Sequence, residues 1–223
     1  MTDFYRKSYK FTAGFFRRLY RLTVVGAENV PETGGVILAP NHTTDVDVIV
    51  VAAAVKRQVR YMAKAELFRV PLLGKLISKL GAFPVNRGKN DVSSVKTTIS
   101  LLESGEAVGL FPQGTRHPGE DPRETKVLGG VAMIASHAGV PVVPTLILTK
   151  KMKVHAFRKT VVVFGKPVTP EEIAALSGEG GTGYRAAAEA IFARVTDLLP
   201  EGWSLGTLPA LPAPGESGKE KEN

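Results

Sequence analysis

The chain has 223 residues, of which 43% are hydrophobic and 22% are charged, and this composition fits one globular domain with a full core. A formal charge of +8 and an isoelectric point of about 9.7 predict an anionic partner: nucleic acid, an acidic membrane surface or a phosphorylated substrate. The absence of cysteine excludes disulfides, a thiolate nucleophile and cysteine-bound zinc. The longest apolar run falls far short of the roughly 20 residues of a membrane-spanning helix, so any membrane contact is expected to be peripheral.

Residues 4–22 separate aromatic from cationic side chains on a helical wheel. The apolar face consists of Phe4, Tyr5, Tyr9, Phe11, Phe15, Phe16, Leu19, Tyr20 and Leu22, and the basic face of Arg6, Lys7, Lys10, Arg17, Arg18 and Arg21. This pattern predicts an amphipathic helix over residues 1–23 that lies in the interface of an anionic membrane. The alternative is a helix that packs its aromatic face on the core and leaves its cations in solvent.

After Pro31 the sequence alternates between short apolar runs and segments with helical spacing. The expected strands are 36–39, 59–62, 82–85, 108–111, 142–148 and 161–164, and the expected helices are 47–55, 71–80, 92–102, 130–137 and 184–199. This order predicts a single α/β domain over residues 24–200, with a mixed, mostly parallel sheet flanked by helices. Residues 201–223 are expected to form a disordered tail, since their last part is rich in Pro, Gly and charge.

One histidine stands where a site is expected in such a sheet. The stretch APNHTTDVDV places His42 after a buried strand and before a helix, and sites in open α/β sheets collect at the carboxyl ends of strands. Asp47, in the first turn of that helix, can accept a hydrogen bond from Nδ1–H of His42 and support the cation that forms when Nε2 takes a proton. Since no Ser or Cys nucleophile is tied to this pair, His42 is a candidate base for a substrate hydroxyl. The alternative is a strand-end histidine satisfied by a capping aspartate.

Two arginines follow further expected strands. Arg87 ends FPVNR, and Arg116 ends FPQGTR, where Gly114 allows a tight turn. Guanidinium groups bind phosphate bidentately, so this pair predicts a phosphate clamp, although each arginine alone is more often a surface residue. VPVVPT, over residues 140–145, brackets a fifth strand with prolines.

The blocks NHTTDVD, GAFPVNR, FPQGTR and VPVVP, in this order, resemble those of the lysophospholipid and glycerolphosphate acyltransferase family and are close to the bacterial 1-acyl-sn-glycerol-3-phosphate acyltransferases. The resemblance runs from about Val24 to Pro167. Each block alone is weak, whereas the combination is specific. AKAELF, over residues 63–68, and Lys126 also resemble basic positions that the family keeps near its acceptor phosphate.

The resemblance implies transfer of a fatty acyl group from acyl-CoA or acyl-carrier protein to the sn-2 hydroxyl of lysophosphatidic acid, which gives phosphatidic acid. His42 would be the general base and Asp47 would orient it, with no acyl-enzyme. The implied acceptor-binding residues are Lys64, Arg87, Gln113, Gly114, Thr115 and Arg116, and the residues implied on the acyl-chain side are Pro141 and Pro144. No cofactor and no metal are implied.

The third block departs from the family pattern at two positions. Gln113 stands where the family usually has Glu, and His117 where it usually has Ser. Glutamine keeps the size and an acceptor oxygen but loses the charge, so a different lysolipid or glycolipid acceptor stays open.

Two further alternatives belong to other classes of protein. A non-catalytic lipid-binding protein of the same fold is disfavoured because both His42 and Asp47 are present. A nucleic-acid-binding module fits the charge, but the sequence has no recognition motif for nucleic acid, so no nucleic-acid partner is expected. The lack of an apolar leader, together with the basic N-terminal segment, predicts a peripheral protein on the cytoplasmic face of the membrane.

Overall fold

A computed structural model describes residues 3–85, 92–178 and 183–208 of the chain. The strands are β1 (Leu22–Val25), β2 (Val36–Pro40), β3 (Val59–Lys64), β4 (Phe83–Val85), β5 (Ala107–Gly109), β6 (Val142–Leu148) and β7 (Thr160–Phe164). The α-helices are α1 (Asp3–Leu19), α2 (Asp47–Ala54), α3 (Leu73–Lys79), α4 (Val92–Glu103), α5 (Gly130–Ala138), α6 (Pro170–Ser177) and α7 (Tyr184–Thr196).

The strands form one mixed sheet in the order β1-β7-β6-β2-β5-β3-β4. Every pairing is parallel except that between β6 and β7, so the predicted mixed, mostly parallel α/β sheet is confirmed. Strands β2, β6 and β7 are buried along their whole length, which explains why their side chains are almost all apolar. We call the edge at which β2 to β6 end the carboxyl edge, and the opposite one the amino edge.

Two apolar layers cover the two faces of the sheet. Helices α5 and α7 supply most of the helical side chains of one core, with Trp203 and Leu102 beside them. Helix α2 supplies the helical side chains of the other core, and Tyr20, the residue after α1, lies beside them. None of the helices within the described residues is long and apolar enough to cross a bilayer.

The second half of α1 packs against the domain. Ala13 and Tyr20 are buried, Phe16 stacks on Tyr20 with ring centroids 6.4 Å apart, and Arg17 Nε donates to the Ala53 carbonyl of α2 at 2.8 Å. Phe15 remains exposed. This half therefore follows the core-packing alternative, and a role of the helix at a membrane stays a prediction. The helix is also shorter than expected, since it ends at Leu19 and Leu22 already belongs to β1.

Two elements were not expected from the sequence, β1 and α6. Helix α6 begins with a signal that the sequence contains: Thr169 accepts a hydrogen bond from the Glu172 N–H, Glu172 reaches back to the Thr169 N–H, and Pro170 occupies the first turn. The segment expected to be a tail also differs at its start, because Trp203 is buried in the core and Leu208 packs against it. Residues 209–223 lie outside the described residues.

The amino edge is held by fixed polar contacts. The Arg57 guanidinium donates to three backbone carbonyls, in the loops before β2 and β5, at 2.6 to 2.8 Å. Glu106, just before β5, accepts a hydrogen bond from Arg60 Nη2 at 2.9 Å, and this bond holds the pKa of Glu106 below its ordinary value. A carboxyl whose pKa is lower in the folded protein stabilises it above the unfolded-state pKa, and this contribution is lost as the pH falls through the folded-state pKa.

We therefore expect Glu106→Gln to lower the free energy of unfolding near neutral pH by about 0.5–1 kcal/mol, the usual size for a partly exposed ion pair. The difference from the wild type should shrink at a second, acidic pH below the lowered pKa of Glu106 in the folded protein, because the carboxyl is then protonated in both states. Urea unfolding at neutral pH and at the acidic pH measures this difference in the free energy of unfolding. Glu103→Gln, on the exposed side of α4, is the control. A difference that stays constant with pH would mean that glutamine disturbs packing instead of removing a charge pair.

Candidate active site

The end of β2 is tied to β6 by a side chain that the sequence analysis did not single out. Asn41 accepts a hydrogen bond from the Ile147 N–H at 2.7 Å and donates Nδ2–H to the Ile147 carbonyl at 3.1 Å. The Asn41 amide thus continues the β2–β6 pairing one residue beyond Pro40, which has no N–H to offer. The next residue, His42, therefore leaves the sheet at a fixed point of the carboxyl edge.

The predicted contact between His42 and Asp47 is present. His42 Nδ1 lies 2.9 Å from Asp47 Oδ2, and the Asp47 side chain is fully buried. The carboxylate accepts five hydrogen bonds: from His42 Nδ1, from the backbone N–H and the hydroxyl of Thr43, and from the backbone N–H and the hydroxyl of Thr44. A carboxylate that only accepts is the ionised form, so Asp47 is a buried negative charge that the loop before α2 satisfies completely.

This contact fixes which nitrogen of His42 is available. Because Nδ1 donates to Asp47, a neutral imidazole carries its lone pair on Nε2, the nitrogen suited to accept a proton. The imidazole also stacks on the Phe111 ring, with centroids 3.8 Å apart and planes inclined by 19°. The hydrogen bond fixes one side of the ring and the stacking fixes its plane, so His42 is held in one orientation.

Gln113 is placed beside His42, but its side chain is used within the protein. Its Oε1 accepts a hydrogen bond from the His42 backbone N–H at 2.6 Å, and its Nε2 donates to Thr125 Oγ1 at 2.7 Å. Thr125 in turn donates to the Pro122 carbonyl, and the His117 N–H donates to the His42 carbonyl at 2.8 Å. The backbone of His42 is therefore held on both sides, which favours a positioning role for Gln113 over direct contact with a substrate.

The rest of the FPQGTR block forms an exposed turn at the same edge. Gly114 has a φ of 68° and donates its N–H to the Phe111 carbonyl, as the tight turn requires. Thr115 and Arg116 are exposed, and Arg116 Nη1 forms an ion pair with Asp45 from the loop between His42 and α2. The structure thus places the Arg116 side chain against the loop that carries His42, and its role at a substrate phosphate stays a prediction.

The remaining residues predicted for the site differ in where they lie and in how exposed they are. Lys64 is exposed at the end of β3, on the carboxyl edge, and Lys126 is also exposed. Arg87 lies outside the described residues. Pro144 is buried within β6, where it pairs with Ala39.

Pro141 is not brought to the site. It precedes β6 at the amino edge, where its carbonyl accepts a hydrogen bond from the Ile37 N–H. With a strand rise of roughly 3.3 Å per residue, Ile37 is about 16 Å along the chain from His42. The proline is remote because β6 runs from the amino edge towards His42 and only its far end reaches the site. A role for either proline on the acyl-chain side stays a prediction.

Within the described ranges no group of three or more His, Asp or Glu side chains is arranged to hold a metal ion. The arrangement therefore offers acid–base chemistry by an oriented imidazole, with exposed cations nearby that can hold an anionic substrate.

An α/β sheet with an Asp-supported histidine and exposed cations at its carboxyl edge is an arrangement suited to acid–base chemistry on an anionic substrate. The sequence profile of the Acyltransferase family matches residues 21–148, more than half of the chain, and the chain belongs to this family.

Individual relatives agree with the motif resemblance. The chain is 33% identical over 197 residues to a 1-acyl-sn-glycerol-3-phosphate acyltransferase of Bacillus subtilis (strain 168), which covers 85% of this chain and 96% of the relative. It is 34% identical over 148 residues to one of Streptococcus pneumoniae, with 65% of this chain and 54% of that relative covered. The crystal structure of the 1-acyl-sn-glycerophosphate (LPA) acyltransferase, PlsC, from Thermotoga maritima matches 90% of this chain and 80% of its own, with a TM-score of 0.64 and 25% identity.

We expect Gln113→Ala to lower kcat by about 10- to 100-fold with little change in the acceptor KM, because the buried His42 N–H loses its acceptor. The kcat of Gln113→Glu should lie between those of the wild type and Gln113→Ala. A carboxylate can accept a hydrogen bond from the His42 N–H but cannot donate one to Thr125. Steady-state kinetics of acyl transfer over a range of pH values measures both effects. A raised acceptor KM with unchanged kcat would instead show that Gln113 contacts the acceptor, as the motif resemblance implied.

Proposed function

We propose that the protein transfers a fatty acyl group from acyl-CoA or acyl-carrier protein to the sn-2 hydroxyl of 1-acyl-glycerol-3-phosphate and so makes phosphatidic acid for phospholipid biosynthesis. The main support is the oriented pair of His42 and Asp47 at the carboxyl edge. The relatives named as 1-acyl-sn-glycerol-3-phosphate acyltransferases support the same reaction.

In the proposed mechanism His42 Nε2 takes the proton of the acceptor hydroxyl as its oxygen attacks the thioester carbonyl. The resulting tetrahedral intermediate collapses, the C–S bond breaks, and the proton passes from His42 to the leaving thiolate. Asp47 stabilises the imidazolium that exists between these two steps. Direct transfer is favoured over an acyl-enzyme because the hydroxyls that follow His42 in the sequence, those of Thr43 and Thr44, both donate to Asp47.

Arg116, Lys64 and Arg87 are the proposed ligands of the acceptor phosphate. Arg116 pairs with Asp45, and both side chains are largely exposed. Exposed ion pairs contribute only about 0.2–1 kcal/mol, so a phosphate dianion can replace the Asp45 carboxylate as the partner of Arg116. Gln113 does not by itself favour another acceptor, since both ends of its amide are bonded within the protein.

The proposed setting is the cytoplasmic face of the membrane, with the protein bound peripherally to an anionic lipid surface. The basic side of the N-terminal helix supports this setting, because its cations match anionic headgroups. Neither a cofactor nor nucleic acid has a part in the proposed reaction.

His42→Ala is expected to reduce acceptor-dependent thiol release from acyl-CoA by about 10²- to 10⁴-fold, the usual effect of removing a general base. Purified protein with mixed vesicles that contain lysophosphatidic acid or another lysolipid gives the rate for each acceptor, and acyl-carrier protein replaces CoA in a second series. His137→Ala, at an exposed position of α5, is the matched control. Release that survives His42→Ala would rule out this base, and release with another lysolipid alone would rule out the proposed acceptor.

Asp45→Asn is expected to lower the acceptor KM by up to about fivefold, because it removes the charge that competes with phosphate for Arg116. The value of kcat should stay unchanged, and Arg116→Ala should raise KM. Asp197→Asn changes the net charge equally at the exposed end of α7 and is the control. An acceptor KM that rises in Asp45→Asn would mean that Asp45 holds Arg116 in its binding position and does not compete with the phosphate.

A further inference from the structure

We infer that the carboxyl edge of the sheet is the surface by which the protein docks on an anionic phospholipid membrane, with His42 facing the lipid. The contact consists of exposed apolar side chains on either side of His42 and the cations around them. This inference deepens the proposed function, since it names the surface on which a lipid acceptor would be met.

One apolar patch lies between β3 and the first turn of α3. A 3-10 helix, Ala65–Arg69, follows β3 directly and therefore begins at the carboxyl edge. The exposed apolar side chains from here into α3 are Leu67, Val70, Leu72 and Leu73, and within α3 only Gly74 is buried. Soluble proteins rarely expose contiguous apolar side chains in this way unless the patch contacts another surface.

Leu72 is held outward by strained backbone. It has φ 63° and ψ −50°, and the Leu73 N–H donates to the Pro71 carbonyl at 2.7 Å, which together form a γ-turn with positive φ. This turn is rare and strained for a residue with a bulky side chain. Leu72 is nevertheless 81% exposed, so in water the protein combines a strained turn with a solvated leucine. Insertion into lipid would remove the second of these two penalties.

The loop between β6 and β7, on the other side of His42, also exposes a large apolar side chain on backbone with positive φ. Phe157 has a φ of 64° and is 76% exposed, and its N–H donates to the Leu19 carbonyl at the end of α1. Leu72 and Phe157 are the two most exposed of the large apolar side chains in the described part of the chain.

Cations surround both apolar groups. Residues 150–159 contain five Lys or Arg side chains and no Asp or Glu, and all five are exposed: Lys150, Lys151, Lys153, Arg158 and Lys159. Arg69 and Lys75 are exposed beside the patch before α3, although Glu66 offsets one charge there. Lysine and arginine close to an anionic membrane strengthen its binding.

The topology places His42 between the two groups. Along the carboxyl edge the order is the β6–β7 loop, then β2 with His42, then β5, then β3 with the patch that follows it. A flat surface that touches both groups covers the end of β2. An acidic carrier protein would match the cations but not the leucines, whereas an anionic phospholipid surface matches both.

Vesicle flotation of the full chain tests the inference with a matched pair of variants. Leu73 and Leu80 are 39% and 38% exposed, but the Leu80 carbonyl accepts a hydrogen bond from Gln58, which precedes β3 at the amino edge. On vesicles of phosphatidylcholine with phosphatidylglycerol, Leu73→Ser should bind less than the wild type and Leu80→Ser should bind equally well. Equal binding of both variants would overturn the inference.

Leu72→Gly separates docking from stability. Glycine accepts positive φ without strain, so the thermal midpoint of unfolding should stay or rise, while vesicle binding should fall by several fold. Unchanged vesicle binding would show that the exposed leucine does not touch lipid.

Charge variants test whether the loop between β6 and β7 contacts the membrane. Replacing Lys150, Lys151 and Lys153 by serine should weaken binding to anionic vesicles by about fivefold per cation, and have little effect with phosphatidylcholine alone. Lys56→Ser combined with Lys166→Ser, both at exposed amino-edge positions, should leave binding unchanged. If the loop variant binds vesicles normally and loses activity only with an acyl-carrier-protein donor, the loop docks the carrier and the inference fails there.

Activity distinguishes failure of the inference from failure of the proposed function. Thiol release is compared for a short-chain acceptor dissolved as monomer and for an acceptor in vesicles. Leu72→Gly combined with Phe157→Gly should keep the first rate and lose most of the second. A wild type that transfers acyl groups without floating would overturn docking alone, and one that floats without transferring would overturn the proposed reaction alone.

Discussion

The buried charge of Asp47 is the constraint on which the site depends. An ionised carboxylate without access to water is tolerated only when donors replace its hydration, since an unpaired buried charge costs several kcal/mol. The loop before α2 supplies these donors from Thr43 and Thr44, and the imidazole of His42 supplies the last. The loop conformation that satisfies the carboxylate is therefore the same one that orients the base, so folding of this segment and preparation for proton transfer are a single event.

The polarity of the parallel strands separates the functional side of the domain from its structural side. Five strands end together, so the backbone that leaves them supplies loops with His42, Gln113 and Lys64 at one edge. At the other edge Arg57 and Glu106 are tied into the loops by hydrogen bonds and take no part in the proposed chemistry. Substitutions at the amino edge should therefore change mainly the stability of the protein, and substitutions at the carboxyl edge mainly its activity.

Position 113 shows how a departure from a family pattern can be understood from local geometry. The side chain there must accept from the His42 N–H and donate to Thr125, because the Thr125 hydroxyl already donates to the Pro122 carbonyl. Glutamine does both, whereas a carboxylate can only accept. The amide is thus matched to the hydrogen bonds of its own loop.

Much of the fold and the central pair of the site could be read from the sequence, because strand burial and strand ends leave periodic signals. His42 and Asp47 met as predicted for this reason. The direction of the Gln113 side chain could not be predicted, since it depends on loops from distant parts of the chain meeting. The pattern of α1 could not tell lipid from core, because both accept the same aromatic face. Helix α6 is marked in the sequence by the capping residues Thr169 and Glu172, a signal that apolar periodicity alone does not contain.

The hydrogen bonds that lead away from His42 end next to a residue that contacts a segment outside the family profile. From Gln113 the hydrogen bonds pass to Thr125 and to Pro122, at the start of a short 3-10 helix, and the next residue, Arg123, lies over the ring of the buried Trp203 at 5.3 Å. The profile match ends at residue 148. A fragment that keeps this contact must therefore include Trp203, and a domain boundary drawn by sequence similarity alone would remove it.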